Sequence, residues 1–172
     1  MSARATWKFV CSCAACLLFF DVYAAEGPAS LLAAVHAVNP GVSLFDFAMI
    51  QFRSGEPRRG EPLTLSLRSS SDLSSLEEAA EILRRYSKLR AQPVGYTDDR
   101  ECRGVECDRL SMRRSKYVYD WLIAQGVPAK QLNAPEGKGG DKQVASNESE
   151  KGRQFNRRVE LGDPYLDYFS RP

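Results

Sequence analysis

The chain has 172 residues, 43% of them hydrophobic and 27% charged, with a formal net charge of +2. This composition is that of one ordinary globular domain, and it excludes a wholly disordered chain. The near balance of charge argues against a protein that binds nucleic acid, which is usually strongly basic. A single histidine, His36, excludes a metal site built from several histidines, and we predict neither a metal nor another cofactor.

The first segment has the layout of a secretory signal peptide. Arg4 and Lys8 are followed by an apolar run over 9–20 and then by small residues at Val22 and Ala24. Basic, apolar and small segments in this order predict export with cleavage after Ala24. An uncleaved membrane anchor is the alternative, although the apolar run is shorter than the ~20 residues that a membrane-spanning helix needs.

The cysteines agree with export. Cleavage removes Cys11, Cys13 and Cys16 and leaves Cys102 and Cys107. In an oxidising compartment we expect this close pair to form a disulfide. A redox-active pair is the alternative, but the CxxxxC spacing differs from the CxxC pattern of thiol oxidoreductases.

Segment 25–60 is predicted to add a short helix and a strand to the domain that follows. Apolar residues recur at helical spacing within 28–38, and the run 42–52 is rich in residues that favour strands. A loop dense in glycine, proline and charge separates this run from 63–67. In 63–67 leucines alternate with polar residues, which predicts a second strand that pairs with the first as a hairpin.

An amphipathic helix and a strand are predicted next. Ser74 and Glu77 have the spacing of a capping box, and the apolar stripe that follows is formed by Leu76, Ala79, Ala80, Leu83 and Tyr86. The segment 91–96 is typical of a strand. Within it Pro93 removes a hydrogen-bond donor, so we expect an edge strand or a bulge there.

The C-terminal half predicts a second helix and a last strand. Asp108 is in place to cap a helix over 109–125, which Gly126 ends. A long polar loop over 133–151 leads to a strand within 155–161. Strands that alternate with helices predict an α+β fold in which helices cover one face of a sheet.

Three segments of this half match the motifs of a known family. They are GYTDD at 95–99, LSMRRSKYVYDWLIAQGVP at 110–128 and GRQFNRRVEL at 152–161. Together and in this order they resemble the OmpA-like peptidoglycan-binding domain, which MotB-type stators and peptidoglycan-associated lipoproteins share. The resemblance covers about 62–162.

The resemblance implies a β-α-β-α-β two-layer sandwich with a mixed sheet and helices on one face, to which a short N-terminal helix and strand are added. It divides the chain into a signal peptide, an N-terminal extension, an OmpA-like domain and a C-terminal tail at 1–24, 25–60, 61–163 and 164–172. The protein is then expected in the periplasm, associated with the cell wall or the outer membrane.

The resemblance also implies a non-catalytic site for the diaminopimelate of peptidoglycan stem peptides. The free end of diaminopimelate carries an ammonium and a carboxylate, so the site needs an anion beside a cation. Asp98 is expected to bind the ammonium. Arg114 is expected to bind the carboxylate through two parallel hydrogen bonds, a bidentate geometry that lysine cannot form. Thr97, Leu110 and Ser69 complete the predicted ligand-binding set. A plain salt bridge between Asp98 and Arg114 is the alternative.

Residues of the third motif are predicted to support the binding loop, namely Asn156, Arg157 and Arg153. The alternative for this basic run is a solvated surface. Cys107 stands where the family pattern has an asparagine. The expected Cys102–Cys107 disulfide therefore either stiffens the loop in place of that asparagine or reshapes the pocket.

Peptidoglycan is the expected partner, and the expected role is to anchor a component of the envelope to the cell wall. An outer-membrane or secretion-machine protein is a further expected partner, whereas nucleic acid is not. The alternative is a scaffold of a secretion or stator-type machine that binds a protein and has lost or weakened wall binding, and the extension 25–60 motivates it. An enzyme is not expected, because the single histidine, His36, lies far from the motifs.

Overall fold

The computed structural model describes residues 48–162. Within them the chain forms a four-stranded mixed sheet, four α-helices and one 3-10 turn. The strands are β1 (Met49–Gln51), β2 (Gln92–Gly95), β3 (Glu136–Gly137) and β4 (Arg158–Gly162). The helices are α1 (Leu63–Ser66), α2 (Ser70–Arg85), α3 (Val105–Ala124) and α4 (Glu150–Asn156), and the 3-10 turn spans Ala129–Gln131.

Several sequence-based predictions fall outside the described residues. They are the signal peptide at 1–24, the helix at 28–38, the tail at 164–172 and the start of the strand predicted at 42–52. The end of that strand is β1, which pairs with β4. The extension 25–60 therefore contributes one strand to the sheet.

β4 is an interior strand of the sheet. It pairs antiparallel with β1 on one side and with β2 on the other, so Val159 lies between Ile50 and Gly95. β2 then pairs in parallel with β3, which places Gly95 beside Gly137. The strand order is β1-β4-β2-β3, and the predicted mixed sheet is confirmed.

Both long helices pack on one face of this sheet. Buried apolar side chains of α2, α3 and the strands form one cluster, whose larger members include Phe52, Ile50, Leu76, Leu83, Leu122 and Leu161. Because apolar residues recur at helical spacing along α2 and α3, each helix presents one stripe to the sheet. The predicted two-layer α+β sandwich is therefore confirmed. No helix within 48–162 is both long and apolar enough to cross a membrane.

Pro93 lies in an interior strand, and not in the edge strand or bulge that its missing donor led us to expect. It pairs with Leu161 on β4. Two residues earlier, the N–H of Ala91 donates to the carbonyl of Gln131, on the side of the strand that faces β3. The nitrogen of Pro93 faces the same side, where the ladder to β3 begins only at Val94. The missing donor therefore falls in a gap between two pairings and removes no hydrogen bond from the sheet.

The strand predicted at 63–67 is wrong, because Leu63–Ser66 form the single turn α1. A strand with this alternation buries all three leucines, whereas the structure buries Leu63 and Leu67 and leaves Leu65 59% exposed. A spacing of four places Leu63 and Leu67 on one side of a helical turn, so the same pattern fits both structures. What remains of the expected hairpin is an antiparallel bridge between Phe52 and Leu67.

The helix α2 begins at Ser70, earlier than the capping box predicted at Ser74. The carboxylate of Asp72 accepts hydrogen bonds from the N–H and the hydroxyl of Ser69. The Ser74 hydroxyl donates instead to the carbonyl of Ser70 within the helix. Three serines in this segment have an acid three residues later: Ser69 before Asp72, Ser74 before Glu77 and Ser75 before Glu78. The first pair sets the start because Asp72 also accepts the N–H of Gln51, which joins the helix to β1.

The helix α3 also begins early, at Val105, so Asp108 does not cap it but lies in its first turn together with Glu106. Gly104 ends the preceding loop with φ of 51°, a conformation that glycine adopts without strain. Acidic side chains in the first turn favour this start, because they interact well with the positive end of the helix dipole.

The last strand is shorter than the predicted 155–161, because α4 takes up Glu150–Asn156 and β4 begins only at Arg158. The hydroxyl of Ser149 caps α4 by accepting the N–H of Gly152 at 3.0 Å. The segment predicted to be a polar loop, 133–151, contains the short strand β3.

Candidate functional site

The candidate site lies where β2 ends, beside the first turns of α3 and the start of β4. Gly95 brings β2 and α3 into backbone contact, since a Cβ at this position would lie 2.0 Å from the carbonyl oxygen of Ser111. This close approach places the next residues of the motif, Thr97 and Asp98, next to the helix that carries Arg114. The glycine of the first motif is therefore required by packing.

Asp98 is a buried carboxylate with three internal donors. One oxygen, Oδ1, accepts the N–H groups of Arg100 at 2.7 Å and Glu101 at 2.8 Å. The other, Oδ2, accepts Nη1 of Arg157 at 2.6 Å. Burial raises the pKa of Asp98, but the three hydrogen bonds and the charge of Arg157 outweigh it and hold the pKa below the ordinary 3.8. Asp98 is therefore charged at neutral pH.

Arg157 is buried and bridges Asp98 to α4. Its Nη2 donates to the carboxylate of Glu150 and to the amide oxygen of Gln154. Burial lowers the pKa of Arg157, but its hydrogen bonds and its attraction to Glu150 and Asp98 raise it overall. The hydrogen bond from Arg157 in turn lowers the pKa of the exposed Glu150. The predicted support residue thus pairs directly with the predicted ligand residue.

Arg114 is fully buried, and all five of its N–H donors are used. Three go to backbone carbonyls: Nε to Glu56 at 2.8 Å, Nη1 to Tyr96 at 2.9 Å and Nη2 to Arg53 at 3.2 Å. The other two form a fork onto the carboxylate of Glu101, at 2.6 and 2.7 Å. The guanidinium has the bidentate geometry predicted for a ligand carboxylate, but its partner here belongs to the chain.

Glu101 was not singled out by the sequence, and its side chain is completely buried. Each of its oxygens accepts two hydrogen bonds. Besides the fork from Arg114, Oε1 accepts the N–H of Asp98 at 3.2 Å and Oε2 accepts the N–H of Gly55 at 2.8 Å. Since the N–H of Glu101 donates to Asp98, the two acids are joined in both directions.

The predicted Cys102–Cys107 disulfide is confirmed, with a Cα–Cα distance of 5.1 Å. It ties the residue next to Glu101 to the first turn of α3. Cys107 and Arg114 lie two turns apart on the same side of this helix. The disulfide and the Arg114–Glu101 ion pair therefore fasten one loop to one helix face at two points.

The remaining predicted ligand residues lie in different surroundings. Thr97 is buried, its N–H donates to the carbonyl of Gly139 at 2.8 Å, and its hydroxyl has no hydrogen-bond partner within 48–162. Leu110 is buried on α3. Ser69 lies at the start of α2 and bonds to Asp72, and no hydrogen bond of the described part of the chain joins it to the two charged residues of the site.

Asn156 and Arg153 hold the loop that precedes α4. The side-chain oxygen of Asn156 accepts the N–H groups of Val144 and Ala145, and its amide donates to the carbonyl of Ala145 and the side chain of Asn147. Arg153 donates to the carbonyl of Asn147 at 2.7 Å. Neither residue forms a hydrogen bond to Asp98 or Arg114 within the described range. The side chain of Asn156 contacts the loop, whereas Arg153 also pairs with Glu150, the residue that Arg157 contacts.

Asp98 and Arg114 do not form a salt bridge with each other within the described residues. Asp98 pairs with Arg157, and Arg114 pairs with Glu101. One signal for Glu101 was present in the sequence. Asp98 and Glu101 have the spacing of a capping box, in which each side chain accepts the N–H of the other residue. The carbonyl partners of Arg114 left no signal, because any residue supplies a carbonyl.

A model described as the OmpA family matches residues 64–157. The peptidoglycan-binding protein ArfA of Mycobacterium tuberculosis is 37% identical over 90 residues, which are 52% of this chain and 27% of that protein. The probable lipoprotein YiaD of Escherichia coli is 36% identical over 87 residues, which are 51% of this chain and 39% of that protein. The alignments thus span well under half of either relative.

A solved structure has a similar fold. The crystal structure of the peptidoglycan-associated lipoprotein from Burkholderia pseudomallei aligns with a TM-score of 0.54, covering 72% of this chain and 96% of that chain. The sequence identity of this pair is 22%, so the likeness is one of fold.

Proposed function

Because the chain belongs to the OmpA family, we propose that it is a non-catalytic module that binds peptidoglycan and anchors an envelope component to the cell wall. The observation that carries this proposal is the family match over 64–157, together with 37% identity over 90 residues to a relative named as a peptidoglycan-binding protein. With the signal peptide predicted at 1–24, the place of action is the periplasm, at the wall or the outer membrane.

The proposed ligand is the diaminopimelate of the stem peptide, bound by Asp98 and Arg114. The lowered pKa of Asp98 supports this proposal, because the residue stays an anion that can attract an ammonium. The forked geometry of Arg114 supports it as well, because the guanidinium already holds a carboxylate in two hydrogen bonds. The domain proposed to do this spans 61–163, with β1 supplied by the extension 25–60.

Sedimentation with purified sacculi that contain diaminopimelate tests this function. We expect the full chain to pellet with sacculi, free diaminopimelate to compete, and both Asp98→Asn and Arg114→Lys to weaken binding about tenfold or more, since a lost charge-assisted hydrogen bond has that effect. The matched controls are Asp120→Asn and Arg109→Lys, exposed residues of α3 that form surface ion pairs. If the two site variants keep the parent's circular dichroism spectrum and still pellet like the parent, the site is wrong.

A second candidate function is a scaffold that binds a protein partner and not the wall. The observation that favours it is the pairing of Arg114 with Glu101, which occupies the cation expected to bind the ligand. In that case one partner protein co-purifies in a fixed ratio with the full chain, and the folded chain does not pellet with sacculi.

A further inference from the structure

The guanidinium of Arg114 is already bound to a carboxylate of the chain, that of Glu101. Both side chains are completely buried, and the two guanidinium nitrogens meet the two carboxylate oxygens at 2.6 and 2.7 Å. The other three N–H groups of Arg114 are taken by backbone carbonyls. A ligand carboxylate therefore finds no free donor on Arg114 and gains the fork only by displacing Glu101.

Glu101 is held in place by polar contacts and by its neighbours in the chain. Its carboxylate accepts the N–H groups of Asp98 and Gly55 in addition to the fork. Next to it, Cys102 is bonded to Cys107 in the first turn of α3, the helix that carries Arg114. The disulfide therefore keeps the Glu101 carboxylate close to Arg114 and raises its effective concentration there.

The residues between Cys102 and Cys107 do not pack against the core. Arg103, Gly104 and Val105 are exposed, and none of the three belongs to the buried apolar cluster. Moving Glu101 outward breaks the hydrogen bonds of its carboxylate without opening the core. It also leaves the buried Arg114 without its counter-ion, which is costly unless another carboxylate takes the place of Glu101.

We propose that Glu101 is an internal competitor for the ligand carboxylate at Arg114, and that the Cys102–Cys107 disulfide sets the strength of this competition. The site then accepts only a ligand that brings its own carboxylate, because nothing else restores the pairing of Arg114. This inference rests on the proposed function, in which Arg114 receives the carboxylate of an amino acid zwitterion.

Calorimetric titration of meso-diaminopimelate into the full chain tests the inference. Glu101→Gln keeps the shape of the side chain but weakens the fork, so we expect the affinity to rise about tenfold or more. Glu106→Gln is the matched control: it removes the same charge from the first turn of α3, where Glu106 forms an exposed pair with Arg109, and it should bind like the parent. Adding Arg114→Lys to Glu101→Gln should abolish the gain.

A second variant covers the case in which Glu101→Gln does not fold. Replacing Cys102→Ser together with Cys107→Ser frees the loop but keeps Glu101. We expect this pair of changes to raise the affinity for diaminopimelate as well, by less than Glu101→Gln does. Circular dichroism and the melting temperature show which variants are folded.

The outcomes separate this inference from the proposed function. If the parent binds through Arg114 and folded Glu101→Gln binds no tighter, the inference is overturned and the proposed function stands. If the loop is freed by the serine variant and the affinity does not rise, the part assigned to the disulfide is overturned. If neither the parent nor any folded variant binds diaminopimelate, the ligand of the proposed function fails, and the inference fails with it.

Discussion

Arg157 pairs with two acidic residues near the end of β2, Asp98 and Glu150. Its guanidinium donates to Asp98, to Glu150 and to Gln154, so it joins the strand to α4. In a buried pair, removing one partner leaves the other charge desolvated, which strongly destabilises the fold. The stability of the domain therefore depends on Asp98 remaining ionised.

This dependence predicts a stability loss in acid. The pKa of folded Asp98 lies below its ordinary 3.8, so its stabilisation is complete above that value and is lost as the pH falls through the pKa of the folded state. Urea unfolding at pH 7 should show Asp98→Asn to be less stable than the parent by about 3 kcal/mol. Near pH 2 the difference should be much smaller.

The control for the acid experiment is Asp120→Asn, which removes an exposed carboxylate paired with Lys116 on the surface of α3. Surface pairs contribute ~0–1 kcal/mol, so its effect should be small at both pH values. If the difference in the free energy of unfolding between Asp98→Asn and the parent stays constant from pH 7 to pH 2, the ionised Asp98 is not what stabilises the fold.

At this scale the motifs identified residues that lie close together at the end of β2, but not how these residues pair. Asp98, Arg114 and Arg157 were all identified from the sequence, whereas the partner of Arg114 was not. Pairing depends on the path of the loop after β2 and on the carbonyls of Arg53 and Glu56, which come from a segment distant in the sequence. Contacts made by the backbone of a loop have no residue preference that a sequence pattern can display.

At the scale of elements, the contact between β2 and α3 depends on Gly95. A Cβ there would lie 2.0 Å from the carbonyl oxygen of Ser111, a backbone atom that cannot move aside alone. Gly95→Ala should therefore push strand and helix apart and lower the free energy of unfolding by about 1–3 kcal/mol. Gly162→Ala is the matched control, because a Cβ on that glycine meets nothing within 4 Å.

Urea unfolding followed by circular dichroism measures both glycine variants. Gly95→Ala should also weaken any binding at the site, since it moves Asp98 relative to Arg114. If Gly95→Ala and Gly162→Ala are equally stable, β2 and α3 do not approach each other as closely at Gly95 as the structure has them.

The order of the elements was predictable, and their ends were less so. Long stripes such as that of α2 are recognisable because apolar residues repeat over about three turns. The leucines of 63–67 are too few to separate a strand from one helical turn, since a spacing of two contains a spacing of four. The starts of α2 and α3 depend on Asp72 reaching β1 and on the path of the loop before Gly104, which are tertiary contacts.

At the scale of the whole molecule, β1 is part of the fold although it precedes the family match at 64–157. Ile50 and Phe52 are completely buried in the common core. Removing a large apolar side chain from a core typically costs about 2–5 kcal/mol, so losing both should exceed the stability of a typical small domain or come close to it.

A pair of truncations tests this. The chain that begins at residue 42 should unfold in one cooperative transition, whereas the chain that begins at residue 61 should show a much lower melting temperature or no transition. Differential scanning calorimetry compares the two. Equal melting temperatures would mean that the sheet is stable without β1.

The position of β4 has a consequence for the order in which the chain acquires its structure. β4 comes after the other three strands in sequence but lies between β1 and β2, so Met49 meets Glu160 across more than a hundred residues. As the chain is synthesised from its N-terminus, the sheet cannot close until Arg158–Gly162 have emerged. Contacts between distant residues form slowly, so the sheet stays open until synthesis has passed Gly162. If the chain is exported, as the segment 1–24 predicts, it can pass through a translocation pore before it becomes compact.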